Sequence, residues 1–133
     1  MLKLACASAA LIALLAACSP ADAELDGDLE INGMEPAFWG VKIVRAQKIT
    51  TIAVLGERDI AGELPVKSKG EKDATILTSK TPEGDFVMTL RQGPCEDGLG
   101  EREYNWSVVA NWKGEKLSGC AAVVKPAAPA GAG

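Results

Sequence analysis

The chain has 133 residues, of which 47% are hydrophobic, 24% charged and 5% aromatic, and these proportions suit one folded domain rather than two. Its formal net charge is −4, so it gains nothing by displacing phosphate counterions and is not read as a nucleic-acid binder. Histidine is absent, which removes the usual general base and the commonest metal ligand. No enzymatic activity and no cofactor or metal is expected.

The first segment is an address. Met1-Leu2-Lys3 supplies a short basic start, and residues 4–17 are an apolar run interrupted by Cys6 and Ser8. As a helix that run would reach roughly 21 Å, short of the ~30 Å hydrocarbon core of a bilayer. Residues 1–17 are therefore read as a secretory signal peptide, an uncleaved anchor being the rival reading. Leu15-Ala16-Ala17-Cys18 resembles the lipobox of bacterial lipoproteins. The resemblance implies cleavage before Cys18, lipid on its sulfur and a membrane as first partner; plain cleavage near Ala17 is the alternative. Ser19 stands where an acidic residue would signal inner-membrane retention, so the expected address is the outer membrane, facing the periplasm.

Of the four cysteines, Cys6 leaves with the signal and Cys18 takes the lipid. Cys95 and Cys120 remain, and in an exported protein such a pair is expected to form a disulfide. A metal site is the other use of two thiols, but without histidine it would need carboxylates to complete the coordination.

Residues 18–28 read as a lipidated tether, 29–125 as the folded β domain, and 126–133, all Pro, Ala and Gly, as a disordered tail. The body shows no sustained helical stripe. Short β-rich runs alternate with turn signals instead. Trp39, Val41 and Ile43 share a strand face, and residues 48–54 are rich in Ile, Thr and Val. A turn is expected at Gly56-Glu57-Arg58-Asp59, then a weaker strand near 61–67, a polar turn over 68–73, and a strand over 74–80. Thr81-Pro82-Glu83-Gly84 makes a tight connection to a strand with Phe86, Met88 and Leu90 on one face. Last come Tyr104, Trp106, Val108, Ala110 and Trp112 in strict alternation, the turn Lys113-Gly114, and a return through Leu117, Gly119, Ala121 and Val123. The expected fold is all-β: a small antiparallel β-barrel or sandwich of about seven to eight strands, stapled by one disulfide and monomeric.

Two motifs carry a family resemblance. Gly33-Met34-Glu35-Pro36-Ala37-Phe38-Trp39 resembles the G-x-E-P-F-W opening of a largely uncharacterised group of small exported bacterial proteins and lipoproteins, with Ala37 inserted. Cys95-Glu96-Asp97-Gly98, then Tyr104, then Gly119-Cys120-Ala121, is similar to the same group's C-x-D-G…Y…G-C-A ending, with Gly98-Leu99-Gly100-Glu101-Arg102 where the group shows a Met-Ser-Asp stretch. The resemblance spans about residues 32–123. It implies an antiparallel β domain closed by Cys95–Cys120 and no particular activity.

The candidate contact residues are Glu35, Phe38, Trp39, Asp97, Arg102, Tyr104 and Trp106. Glu35-Pro36 is either a carboxylate at a pocket rim or a strand entry, since proline cannot donate to a ladder. Phe38 and Trp39 either line a cavity or fill the core. Asp97-Gly98 shapes a recognition loop or a plain turn. Ser68, Ser79, Ser107 and Ser118 have no histidine partner, and no nucleophile–base–orienter set can be assembled. The expected function is an envelope-anchored, non-enzymatic binding module holding a small apolar or amphipathic ligand, motivated by the inward aromatics. The alternative is an interaction or inhibitor module that docks on an envelope protein through the 94–102 loop.

Overall fold

The computed structural model describes residues 23–96 and 104–125. Nine strands follow one another: β1 (Asp28–Glu35), β2 (Trp39–Val44), β3 (Ile49–Val54), β4 (Glu57–Gly62), β5 (Val66–Lys69), β6 (Thr75–Thr81), β7 (Gly84–Cys95), β8 (Tyr104–Trp112) and β9 (Glu115–Lys125). Single 3-10 turns lie at Arg45–Gln47 and Glu71–Asp73. The alternation legible in sequence is the burial alternation of the strands: Leu29 and Ile31, Trp39, Val41 and Ile43, Ile52 and Val54, Phe86, Met88 and Leu90 all point inward.

All strands belong to one antiparallel sheet, ordered β4-β3-β2-β1-β9-β8-β7-β6-β5 and curled into a half-barrel. The strands nearest the two ends of the chain, β1 and β9, are neighbours within it. Counting antiparallel steps along that order makes β4 and β5 run in the same direction, with only Glu63-Leu64-Pro65 between them. They act as one bent strand that changes partner, from β3 to β6. Glu63 is the point of exchange. Its amide donates to the Lys80 carbonyl at 2.9 Å, and its own carbonyl accepts from buried Thr50 Oγ1 (3.0 Å) and Ser79 Oγ (2.6 Å). Those hydroxyls come from opposite sides of the exchange, and each would be orphaned without that carbonyl.

The turn residues mark two ends. At one end lie the β1–β2, β3–β4, β6–β7 and β8–β9 connections. Leu55-Gly56 and Lys113-Gly114 both have positive φ at two successive positions (48° and 89°, 51° and 83°), the geometry of tight type I′ hairpins. Inside this end Phe86 packs between Trp39 and Trp112, with ring centroids 6.1 and 5.5 Å apart, and none of the three rings reaches solvent.

The opposite end is capped by residues 23–27. Leu25 is fully buried in the core, and Arg45 holds the turn by donating from Nη2 to Leu25 O (2.7 Å) and from Nε to Gly27 O (3.0 Å). The Arg45 amide also donates to Asp28 Oδ1 at 2.8 Å.

Three expectations change. The sheet has nine strands rather than seven or eight, because the stretch taken as a turn at 56–59 and one strand near 61–67 forms both β4 and β5, and Asp28–Glu35 adds β1. It is a single curled sheet, so the sandwich form is excluded. Of the residues expected to form a tether, 23–28 belong to the fold through Leu25 and the start of β1, and 18–22 lie outside the described residues. The disulfide is present, Cys95 to Cys120, with Cα atoms 5.7 Å apart.

Candidate functional site

The candidate residues separate by sheet face. Trp39 and Trp106 point inward and are buried. Glu35, Phe38, Tyr104 and the disulfide gather around the outer surface of β8, β9, β1 and β2. Asp97, Arg102 and Cys18 lie outside the described residues.

The register defines the outer surface. Asn32 is opposite Gly40 on one side and Cys120 on the other, Gly40 is opposite Ala53, and Cys120 is opposite Ser107. None of these side chains is charged, in a chain with 24% charged residues. The next row, Glu30 opposite Lys42, restores charge and bounds the surface. A Cβ on Gly40 would stand 2.9 Å from Asn32 Oδ1 and 3.8 Å from Phe38 Cζ, so glycine lets both side chains lie across β2.

Toward the end of the strands the surface becomes apolar. Gly33 pairs with Trp39 and Trp39 with Val54, so the next positions are Met34 in β1 and, just beyond the ends of β2 and β3, Phe38 and Leu55 in the connecting turns. They are 45%, 53% and 39% exposed. The chain has three Trp, one Tyr and two Phe. Every one except Phe38 is buried. Glu35 sits beside this row at the end of β1, exposed and before a cis peptide bond to Pro36.

At the other side of the surface, Tyr104 opposes Cys95 past an irregularity between Gln92 and Cys95. Its buried phenol oxygen accepts from Asn32 Nδ2 at 3.4 Å. Asn32 therefore links the disulfide end of β8 to the β1–β2 hairpin. Cys95 and Tyr104 also flank the segment that contains Asp97 and Arg102.

Inside, Trp39 Nε1 donates to Ser118 O at 3.0 Å. Trp106 Nε1 is buried with no hydrogen-bond acceptor among the described residues. Lys113 bridges three hairpin turns at the strand ends: its ammonium lies 2.6 Å from Glu83 Oε1, 3.9 Å from Glu57 Oε2 and 5.0 Å from the Trp112 ring centroid. That hydrogen bond holds the Glu83 carboxyl below its ordinary value and raises the Lys113 ammonium above its own. Among the described residues no three Cys, Asp or Glu side chains converge as a metal-ligand set, and no helix is long and apolar enough to cross a membrane.

Asn32, Met34 and Leu55 escaped the sequence reading. Only Leu55 left a signal, a large apolar residue directly before the glycine of a tight turn. No family model matches the chain, and no curated protein or solved structure matches it.

Proposed function

We propose that the chain is a non-enzymatic binding module, held at a bacterial envelope by lipid on Cys18, that engages a protein partner through the outer surface around Phe38. The observation that carries this reading is the exposure of Phe38 beside Met34 and Leu55, next to an uncharged stretch of sheet. Monomeric soluble domains scatter single apolar side chains, whereas three neighbouring large ones at one end of the sheet mark a contact surface. An aromatic is also the residue type from which interface anchors are most often made.

A second reading, a small amphipathic ligand inside the barrel, is favoured by one observation. The Trp106 indole N–H is buried without an acceptor among the described residues, and a ligand's carbonyl or carboxylate would satisfy it.

The test is photo-cross-linking of the full chain in the cells that produce it. A cross-linkable residue at position 38 or 118 gives a protein adduct, and one at position 69, on β5 at the opposite end, gives none. Adducts from 69 alone would overturn the proposal. So would the absence of any adduct together with a small molecule retained in native mass spectrometry, which would select the interior reading.

A further inference from the structure

We propose that the row Met34, Phe38 and Leu55 receives a basic protein surface, with Lys or Arg side chains flanking an apolar contact, on the end of the barrel that faces away from the bilayer. This rests on the partner-binding reading above and names the chemistry of the partner.

Leu55 is the first observation. It occupies a left-handed position, φ 48°, in the Leu55-Gly56 turn, where Asn, Asp or Gly is at ease and a leucine side chain is strained. It is also 39% exposed, so the fold gains little burial for that strain. A strained backbone residue that the core does not use points to a role at the surface. Phe38 repeats the pattern, an aromatic placed outside while every other aromatic in the chain is inside.

Charge selects the occupant. The turns at this end bring exposed Glu35, Glu57, Asp59 and Glu83 against two bases, Arg58 and the Lys113 that lies 2.6 Å from Glu83 and 3.9 Å from Glu57, which leaves an acidic excess. An acidic border around an apolar row repels an anionic lipid surface and repels a second copy of itself, and it attracts a cationic surface.

The anchor selects the direction. The described chain begins at Ala23, at the end capped by Leu25, and four residues separate it from Cys18. Fully extended, that span reaches about 17 Å, so the capped end is the one held near the bilayer. β1 runs from there to Glu35 at the opposite end, roughly 25 Å away at strand rise. The Phe38 row is thereby turned toward the periplasm.

Leu55→Asn separates the roles, because it relieves the turn and removes the contact together. In the full chain it raises Tm, by about 4 °C for one kcal-scale gain in a domain of this size, and lowers the adduct yield from position 38 at least fivefold. Paired Glu35→Lys and Asp59→Lys lower the yield likewise, while Glu71→Lys at the capped end leaves it unchanged. The peptide recovered from the adduct carries Lys or Arg around its linked residue. An unchanged yield in Leu55→Asn, an acidic linked peptide, a lipid or a second copy of the chain would each overturn the proposal. Adducts from 118 with none from 38 would defeat this inference and leave partner binding standing; no protein adduct from either site would defeat both.

Discussion

The indole nitrogen of Trp39 donates to the carbonyl of Ser118, 3.0 Å away, through a space left by the missing side chain of Gly33. A Cβ on Gly33 would run into both Trp39 Nε1 and Ser118 O. The β1–β9 junction and the aromatic end of the core are therefore held by one glycine. Gly33→Ala should lower stability by about 2–4 kcal/mol, through overpacking and the lost hydrogen bond. Urea unfolding followed by tryptophan fluorescence measures it; an unchanged midpoint would contradict this account of the junction.

Leu25 makes the capping turn part of the fold. Truncating a fully buried leucine costs about 2–5 kcal/mol, so Leu25→Ala should approach the cost of a core substitution, which no tether residue would. Arg45→Ala removes both donors to the turn and should expose the amides of residues 26 and 27 to hydrogen exchange while β6 and β7 stay protected.

The clasp at the turns is sensitive to pH. Glu83 is held below its ordinary value by the Lys113 hydrogen bond, so its contribution is present above the unfolded-state value and is lost as pH falls through the folded-state one. Lys113 is raised, so its share is present below its unfolded value and is lost as pH rises through the folded one. Both side chains are exposed, and the effect on total stability is small. In Lys113→Ala the Glu83 carboxyl should titrate at higher pH than in the parent chain, as read by carboxyl carbon shifts in NMR; an unmoved midpoint would show that Lys113 does not hold it.

The disulfide closes a loop with a sequence separation of 25. By chain entropy it should contribute roughly 3.5 kcal/mol. Cys95→Ser with Cys120→Ser should lose about that amount in denaturant unfolding, and a loss below about 1 kcal/mol would mean that the ladder of β7, β8 and β9 alone fixes the junction.

The sequence made β2, β3, β6, β7, β8 and β9 legible because each alternates apolar and polar residues with one face buried, and it made the disulfide legible through the cysteine count. It hid β4, whose Glu57-Arg58-Asp59 start is polar on both faces and is ordered by pairing with β3 rather than by burial. It hid the partner exchange at Glu63, which depends on hydroxyls from β3 and β6 that are remote in sequence. Phe38 and Trp39 were singled out together, yet a strand sends neighbours to opposite faces, and only the barrel's curvature decides which face is the interior. Asn32 gave no signal, since its role comes from standing opposite Gly40 and Cys120 in register.

The most direct measurement is hydrogen exchange of the full chain in an extract of the cells that produce it, compared with the same chain purified. A protein partner on the Phe38 surface predicts added protection at residues 32–40 and 53–57 in the extract, abolished by Phe38→Ser. Protection that stays in Phe38→Ser, or that falls on the capped end instead, would contradict it.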